Sequence, residues 1–381
     1  MKKTIGVDIR ALASGKRTGV EEYVINLLSK ILVLDKSIRF KLFYNGRRKA
    51  KLDFDWLELD NVQLYDFKIP NRFVFNPSIS IFNAPKIDDL IGGVDAFLNP
   101  HLFSPISLSD KCKYVAVIHD LGFFHFPEFL PIDKMAWHKI ETRPLRQVQR
   151  ANKIVVSSES TKKDVEEIYK SESDKVEVVY PGLNFIVPEK IDSEKVLRVK
   201  QTYDLPDEYI LYLGTIEPRK NILGLIKAFE EFKKQKNEIK LVIAGSSGWL
   251  CENIYRYVKD SPISKDIIFT GFIDPDDKFY LYHLAKAFVY PSFFEGFGFP
   301  VLEAMASGIP TITSNTSSLP EVGGHGCLII DPFKPKQIAE AINSIVSDDK
   351  LRQSLIRAGK KQAGKFNWSK TAEQILNILV A

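Results

Sequence analysis

The chain has 381 residues, more than one hydrophobic core normally supports, so two domains are expected. Hydrophobic residues make up 45% and charged residues 27%, the proportions of an ordinary globular protein. The formal net charge of +5 is too small to indicate a nucleic-acid-binding protein, whose basic residues crowd one face, but it suits an anionic substrate or an anionic membrane surface.

The N-terminal half alternates predicted strands with predicted helices. Residues 4–9 form a first apolar run, and a polar loop over 10–19 contains two glycines. Apolar residues then recur at steps of three and four between positions 20 and 32, which predicts an amphipathic helix. Further short apolar runs predict strands at 39–44, 94–98, 114–118, 153–156 and 176–180.

The C-terminal half repeats this organisation after a charged stretch at 186–206, which is predicted to be a linker. Strands are predicted at 209–213, 240–244, 267–270, 287–290 and 311–313, with a helix at 222–232 after the first of them. The alternation predicts the α/β class, with two doubly wound parallel sheets in domains spanning 1–185 and 207–365.

Three cysteines, Cys112, Cys251 and Cys327, match neither a zinc-ligand spacing nor a disulfide framework. The first residues lack the apolar region of a signal peptide, and no apolar run reaches the roughly 18 residues of a membrane span. We therefore expect a cytoplasmic protein. If it works at a membrane, it is expected to lie peripherally at the inner face.

Polar residues follow several of the predicted strands. His119 and Asp120 follow the strand at 114–118, and Arg219 and Lys220 follow the strand at 209–213. Ligands of open parallel sheets bind beyond the carboxyl ends of the strands, so two such domains presenting these ends to each other would form an interdomain cleft. The alternatives are a histidine buried in the core and a solvated basic pair.

The densest motif is PSFFEGFGFPVLEAMASG at 291–308. Glu295 precedes a loop with Gly296 and Gly298, a proline suits the first helical position, and Glu303 falls in the first turn. Backbone N–H groups at such a loop and helix start can hold a diphosphate, and Glu303 can accept hydrogen bonds from a ribose diol. The alternative is a capped helix after a tight turn.

This motif resembles the E-x(7)-E signature of family 4 of the retaining glycosyltransferases, with Glu295 and Glu303 as its two acids. GTIEPRKN, IAGSSGW, FTGFIDPDD and NTSSLPEVGG in the C-terminal half resemble further motifs of the family, as do GVDIRAL, TGVEEYVINLL and VIHDLGFFHFPE in the N-terminal half. The resemblance covers nearly the whole chain. It implies the GT-B fold, two facing Rossmann-like domains, with a C-terminal helix over 366–381 that returns to the N-terminal domain.

The resemblance also implies roles for single residues. Glu303 would hold the ribose, Glu295 would contact hydroxyls of the donor sugar, and Arg219 and Lys220 would neutralise the leaving diphosphate. Fixed cations aimed at a developing negative charge stabilise a transition state, which supports the last role independently. The remaining positions of the implied donor site are Gly19, Gly214, Thr215, Gly245, Gly271, Phe272, Ile273, Gly296, Phe297 and Gly298.

One position departs from the family. Many members carry an arginine where this chain has Thr215, so Arg219 supplies that charge instead or the second cation lies elsewhere. In the N-terminal half the resemblance implies that His119 points at the reacting sugar with Asp120 beside it. Gly19 would let the backbone approach the donor phosphate and the acceptor, since glycine has no Cβ, and its alternative is an ordinary turn before a helix.

The resemblance implies transfer from a nucleotide diphosphate sugar to a glycan or a polyprenyl-diphosphate-linked acceptor, with retention of the anomeric configuration. A double displacement, which needs a carboxylate below the anomeric carbon, and a front-face path both stay open. Asp274, Asp276 and Asp277 come closest to a metal motif but are predicted to form a turn, so we expect no metal and no cofactor. The GTIEPRKN and VIHDLGFFHFPE variants look most like bacterial mannosyltransferases of surface-polysaccharide assembly, which implies GDP-mannose.

Basic residues crowd positions 134–163, with Phe123, Phe124, Phe126, Phe129 and Trp137 nearby. Such a run is usually a solvated helix face; the alternative is a platform for a polyprenyl-diphosphate-linked glycan or an anionic bilayer. Two other functions also stay open, a nucleotide-sugar epimerase of GT-B fold and a nucleotide-sugar-binding protein without catalysis.

Overall fold

The computed structural model describes residues 3–14, 18–46, 52–102, 105–136, 143–235 and 237–381. The chain forms two compact units. The first unit comprises Met1–Leu121, Ile132–Gly182 and Asn367–Ala381, and the second comprises Gly122–Pro131 and Leu183–Phe366. Each unit is built on one parallel sheet, which confirms the predicted α/β class.

The strands of the first sheet are β1 (Thr4–Asp8), β2 (Arg39–Asn45), β3 (Val62–Phe67), β4 (Ala96–Asn99), β5 (Lys113–Ile118), β6 (Lys153–Val156) and β7 (Val176–Val178). Those of the second are β8 (Tyr209–Leu213), β9 (Lys240–Ala244), β10 (Ile267–Gly271), β11 (Ala287–Tyr290), β12 (Thr311–Ser314) and β13 (Cys327–Ile330).

The helices are α1 (Gly19–Leu34), α2 (Asn76–Phe82), α3 (Ile87–Leu90), α4 (Gly122–His125), α5 (Ile132–Ala136), α6 (Pro144–Arg150), α7 (Glu159–Tyr169), α8 (Ser193–Thr202), α9 (Ile222–Lys233), α10 (Glu252–Asp260), α11 (Lys278–Leu284), α12 (Phe299–Ser307), α13 (Leu319–Gly323), α14 (Pro335–Ser347), α15 (Asp349–Ala363) and α16 (Trp368–Val380). Short 3₁₀ turns include Pro127–Phe129, Pro218–Lys220 and Pro275–Asp277, and one π turn lies at Asn71–Phe75. None of the helices in the described ranges is long and apolar enough to cross a membrane.

The first unit has the strand order β3-β2-β1-β4-β5-β6-β7, with every pairing parallel. Its central strands are buried on both faces, as expected where helices cover a parallel sheet. Helix α1 buries the apolar face predicted from the sequence, including Tyr23, Leu27 and Ile31. Since β1 and β4 are neighbours, the chain switches direction between them, and loops after these strands meet at one edge.

Helix α16 packs in the first unit, although it is last in the sequence. The rings of Trp368 and Tyr23 meet edge to face with centroids 5.2 Å apart, and the Thr371 hydroxyl donates to the carbonyl of Tyr180 at 2.6 Å. Gly182 lies directly beneath Trp368, where a Cβ would clash with the tryptophan backbone and ring. The C-terminal helix is therefore held by packing, a hydrogen bond and a close backbone approach.

The second unit has the strand order β10-β9-β8-β11-β12-β13, again fully parallel. This is the order of a Rossmann sheet, in which the chain runs outward from β8 to β10 and then returns to the other side of β8. The switch point lies between β8 and β11. The buried side chains of α9, α11, α12 and α14 cover the two faces of the sheet.

The units differ from the predicted boundaries at two places. Residues 186–206, predicted as a linker, contain α8, whose start is capped by the Asp192 side chain and whose Arg198 pairs with the buried Asp277. The segment 122–131, predicted in the N-terminal domain, belongs to the second unit because Phe126 and Phe129 pack on Phe293.

Candidate active site

The switch point of the second sheet brings two predicted motifs together. β8 and β11 are hydrogen-bonded neighbours, so the loops that follow their carboxyl ends are adjacent. The loop after β8 is GTIEPRKN, and the loop after β11 begins the 291–308 motif. Open α/β sheets bind ligands at this kind of crevice. Topology therefore places the two parts of the predicted donor site side by side.

Asn221 fixes the loop after β8. Its backbone is left-handed, with φ of +56°, a conformation that asparagine tolerates better than most residues. Its side-chain amide donates to the carbonyl of Pro291 at 3.1 Å and to that of Pro332 at 2.7 Å. One buried side chain thus ties the loop after β8 to the segments that follow β11 and β13.

An ion-pair cluster lies between these loops. The Lys220 ammonium donates to Glu295 Oε1 at 2.6 Å and to the Tyr290 hydroxyl at 2.8 Å. The Arg219 guanidinium contacts Glu295 Oε2 at 3.1 Å and Glu217 Oε1 at 2.9 Å. These four charged side chains, Glu217, Arg219, Lys220 and Glu295, are named the switch-point cluster. Because each cation is held by a buried carboxylate, both are positioned before a ligand arrives.

The charges of the cluster depend on one another. Burial opposes the ionisation of Glu295, but the positive charges of Lys220 and Arg219 and the hydrogen bond from Lys220 outweigh it and lower its pKa to about 2. Burial and the neighbouring Arg219 lower the pKa of Lys220, while Glu295 and Glu217 act in the opposite direction. The two bonds of Lys220 to described residues use two of its three ammonium donors, so one remains for a phosphate oxygen.

The loop that carries Glu295 is held from the other side by two serines. The backbone N–H of Glu295 donates to Ser317 Oγ at 2.9 Å, and Ser318 Oγ lies 2.9 Å from the Glu295 carbonyl oxygen. Gly298 then starts α12 with φ of +109°, a backbone conformation that L side chains rarely adopt. The predicted turn before a helix is present, but α12 begins at Phe299, so Pro300 is its second residue and Glu303 lies beyond the first turn, where the predicted interaction with the helix start is lost.

Glu303 lies on the buried side of α12, at 2% exposure. The Tyr282 hydroxyl donates to its Oε2 at 3.0 Å, and the Lys278 ammonium lies 3.7 Å from its Oε1. Burial and the nearby Glu303 carboxylate raise the pKa of Tyr282 well above its ordinary value, so this phenol stays protonated and donates. The carboxylate therefore has fixed partners at both oxygens.

The other predicted donor positions differ in how far their side chains are exposed to solvent. Gly245 presses against the loop after β8, since a Cβ there would clash with the carbonyl of Gly214. Gly271, at φ of +73°, has open space where a Cβ would lie, and Phe272 beside it is 66% exposed. In contrast, the side chains of Ile273 and Phe297 are buried, so only their backbones can face a ligand.

Thr215, the position that departs from the family, carries no charge, and Arg219 follows in the same loop. The side chain of Thr215 is exposed, and its carbonyl oxygen accepts a hydrogen bond from Tyr212 at 3.1 Å. Arg219 and Lys220 are consecutive and contact the two oxygens of the same carboxylate. The structure thus places Arg219 and Lys220 on the same carboxylate, and the assignment of Arg219 as the second cation stays a prediction.

His119 lies at the carboxyl end of β5 in the first unit. Its Nε2 lies 2.9 Å from the carbonyl oxygen of Pro100, and its ring meets Tyr23 edge to face. Burial lowers its pKa, against the opposing effects of the Pro100 hydrogen bond and Asp120. A neutral imidazole that donates from Nε2 to a carbonyl presents Nδ1 as an acceptor.

Gly19 lies at the start of α1, and Asp120 follows His119 after β5 of the first unit. Gly19 begins α1 after Thr18, which forms a capping box with Glu21, so the helix start is well defined. A Cβ on Gly19 would meet nothing within 4 Å, so the packing of the chain does not require glycine there. Asp120 follows His119 and is partly exposed.

Part of the basic stretch at 134–163 is paired with carboxylates. Lys153 pairs with Glu177 at 2.9 Å, and Lys162 and Lys163 face glutamates one turn later on α7. Residues 137–142, with Trp137, His138 and Lys139, lie outside the described ranges. Phe126 and Phe129, which lie near this run in the sequence, pack on Phe293 in the second unit.

The three aspartates near a metal-motif pattern form the predicted turn. Asp274 caps the 3₁₀ turn Pro275–Asp277 by accepting from the Asp276 N–H at 3.0 Å, and Asp277 pairs with Arg198. Over the part of the chain that the structure describes, no three His, Cys, Asp or Glu side chains are grouped so that they could hold a metal ion.

Sequence reasoning missed the aromatic and amide partners of the site. Tyr290 contacts Lys220, Tyr282 contacts Glu303, and Asn221 links three loops. Tyr290 ends a predicted strand and Tyr282 lies in a helix, where aromatic residues are usually core. Asn221 alone carried a signal, since an asparagine just before a helix often adopts a left-handed or capping conformation.

Two family models match successive parts of the chain. Residues 17–185 match Glycosyltransferase Family 4, and residues 193–362 match glycosyl transferases group 1. The O-antigen chain mannosyltransferase B of Escherichia coli is 31% identical over 280 residues, covering 73% of this chain and 72% of that protein. The serotype-specific mannosyltransferase WbdA of Escherichia coli is 36% identical over 310 residues, which is 77% of this chain but 37% of WbdA.

Among solved structures, Anabaena HepE in complex with UDP and glucose has a TM-score of 0.71 with 17% identity, and all of both chains is covered. At that identity the likeness supports the fold alone, and it agrees with the two Rossmann-like units. The two matched regions together span both units, and the similarity to mannosyltransferase B extends over most of each chain. This chain therefore belongs to glycosyltransferase family 4 and is a glycosyltransferase.

Proposed function

We propose that this enzyme transfers a mannosyl residue from GDP-mannose to a glycan or lipid-linked glycan acceptor, with retention of the anomeric configuration and without a metal ion or other cofactor. The observation that carries the proposal is the switch-point cluster, in which two cations are pre-aligned at the crevice of a Rossmann sheet. The choice of mannose is supported by relatives named as mannosyltransferases of Escherichia coli.

The cluster suits a diphosphate leaving group. When the bond between the anomeric carbon and the β-phosphate oxygen breaks, negative charge accumulates on the phosphate. Lys220 and Arg219 can stabilise that charge without reorganising, because Glu295 and Glu217 already hold them in place. This is the charge-neutralising role that a divalent cation takes in other enzymes, so the proposed reaction needs no metal.

Retention follows most simply from a front-face path. The acceptor hydroxyl oxygen would form the new bond to the anomeric carbon on the side from which GDP leaves, and its proton would pass to the departing phosphate. No enzymic nucleophile is needed, and His119 is neutral and available to accept a hydrogen bond from a sugar hydroxyl. The atoms balance as one mannosylated acceptor and one GDP.

The proposal is tested by mannosyl transfer from GDP-mannose in the presence of excess EDTA, with UDP-glucose as the competing donor. We expect transfer from GDP-mannose at an unchanged rate after EDTA, with no gain when magnesium or manganese is restored. Activity that EDTA abolishes and metal restores would overturn metal independence. Faster transfer from UDP-glucose would overturn the donor assignment and leave the glycosyltransferase activity intact.

Glu303 is proposed to accept hydrogen bonds from the two ribose hydroxyls. Glu303→Gln is expected to weaken GDP binding about tenfold, because a charged acceptor becomes a neutral amide with a single oxygen. Tyr282→Phe should weaken it less, since it removes only the group that orients the carboxylate. Isothermal titration with GDP measures both, with the exposed Glu340→Gln on α14 as the control. Equal affinity for Glu303→Gln and wild type would contradict the role.

A further inference from the structure

An exposed apolar cluster lies on the first unit, apart from the switch-point cluster and from Glu303. The π turn Asn71–Phe75 and helix α2 bury Phe75 and Ile79 against the unit. Large apolar side chains of the same segment are exposed: Phe73, Val74, Ile81 and Phe82 are 77%, 48%, 69% and 75% exposed. A single exposed apolar side chain is ordinary, but four on one short segment mark an interaction site.

Arginines of α6 border this segment. Arg143 Nη1 donates to the carbonyl oxygen of Ser80 on α2 at 2.9 Å, and Arg146 Nη1 reaches the same oxygen at 3.5 Å. Together with Arg150 and Ile79 they line a small cavity between the two helices. The exposed side chain of Leu145 lies between the first two arginines in sequence. Apolar and cationic groups therefore share one surface.

The two segments that supply this surface contain basic residues and no acidic ones, although the exposed carboxylate of Asp110 lies 3.4 Å from Arg150 at the end of α6. No aspartate or glutamate occurs between positions 67 and 87, where the charged residues are Lys68, Arg72 and Lys86. None occurs between positions 143 and 158 either. A second copy of the chain would bring like charges together on this face, whereas an anionic partner would neutralise them.

We infer that this face, formed by Phe73, Val74, Ile81, Phe82, Arg143 and Arg146 and named the α2 surface, binds anionic phospholipid bilayers. The apolar side chains enter the boundary between headgroups and acyl chains, and the arginines contact lipid phosphates. The long arginine side chains can reach the headgroup layer while α2 lies flat. The inference deepens the proposed function, on which it rests for its purpose, because an enzyme that acts on a lipid-linked acceptor works where that acceptor is anchored.

Vesicle flotation without any nucleotide sugar tests the inference. We expect the wild-type protein to float with vesicles of phosphatidylglycerol and phosphatidylcholine, to stay behind with pure phosphatidylcholine, and to bind less at high salt. Phe73→Ser combined with Phe82→Ser should weaken binding about tenfold or more, because two exposed aromatic side chains no longer enter the bilayer. Arg146→Glu should also weaken it. The control is Ile186→Ser with Leu197→Ser, which removes apolar residues of similar exposure from the second unit.

Three results would overturn the inference. One is wild-type protein that fails to float with anionic vesicles. Another is undiminished flotation of the Phe73→Ser/Phe82→Ser variant, whose thermal unfolding is measured in parallel to show that it folds. The third is a wild-type oligomer, seen by size-exclusion chromatography, that this variant does not form, while neither protein binds vesicles. The face would then join copies of the chain. Loss of mannosyl transfer with intact flotation would instead contradict only the proposed function.

Discussion

Lys220→Met is expected to lower kcat for sugar transfer by about 100- to 1,000-fold, the usual effect of removing one pre-positioned group that stabilises developing charge. Methionine keeps the length of the side chain and removes the ammonium that faces Glu295 and Tyr290. The loss should appear mainly in kcat, because the charge that Lys220 meets is larger in the transition state than in the bound donor. Steady-state kinetics with saturating donor measure it.

Two further variants show whether the ammonium itself matters. Lys220→Arg retains a cation and should recover part of the rate, whereas Lys227→Ala, an exposed lysine on the following helix, should behave as wild type. Thermal unfolding of Lys220→Met separates lost catalysis from lost folding. A folded Lys220→Met enzyme with kcat within about threefold of wild type would contradict the role of the switch-point cluster.

Glu295→Gln is the second change with a large expected effect. The carboxylate holds both cations and is proposed to contact donor-sugar hydroxyls, so its neutralisation removes an anchor and a substrate contact together. We expect kcat to fall about 100-fold. The exposed Glu252→Gln on α10 serves as the control and should leave the rate unchanged. Wild-type kinetics for Glu295→Gln would show that the cations are held without it.

The loss of stability caused by Glu295→Gln is expected to depend on pH. The folded-state pKa of Glu295 is lowered from 4.5 to about 2, so its ionised form stabilises the fold above pH 4.5, and this stabilisation is lost as the pH falls toward 2. At pH 7 the variant should lose about 3 kcal/mol of unfolding free energy, at 1.36 kcal/mol per pKa unit. Urea unfolding at about pH 7 and about pH 3 should show the gap between wild type and variant shrinking at the lower pH. A gap that widens would contradict the ion pairing.

Most strands of both sheets could be predicted because parallel strands buried on two faces are continuous apolar runs. β8, β9 and β11 fall where the sequence places them. β3 was not predicted because none of its residues is buried, as an edge strand allows. β13 escaped because only Cys327 and Ile330 of its four residues are buried.

The boundaries between the units could not be predicted from local pattern. The segment 122–131 joins the second unit through ring contacts with Phe293 and through the Trp249 indole, which donates to the Phe129 carbonyl at 2.7 Å. These partners lie more than 100 residues away in sequence, so no periodicity signals them. A charged stretch such as 186–206 is equally ambiguous, because a capped polar helix and a linker have similar composition.

The charged residues of the site were predictable and their partners were not. Arg219, Lys220, Glu295 and Glu303 stand out because they are charged and follow strand ends or a glycine loop. Their contacts with Tyr290 and Tyr282 depend on the sheet order and on helix packing, which a single sequence does not contain. The strand order of the second sheet provides this information, since it makes the loops after β8 and β11 neighbours.

The central claim is that the switch-point cluster of the second unit holds the diphosphate of the donor. Isothermal titration of GDP and GMP into wild type and Lys220→Met tests it most directly. We predict that wild type binds GDP at least about tenfold more tightly than GMP, and that most of this preference disappears in Lys220→Met, because the ammonium and the phosphate form a charge-assisted hydrogen bond. Equal affinity for GDP and GMP in wild type, or a preference that survives in the variant, would contradict it.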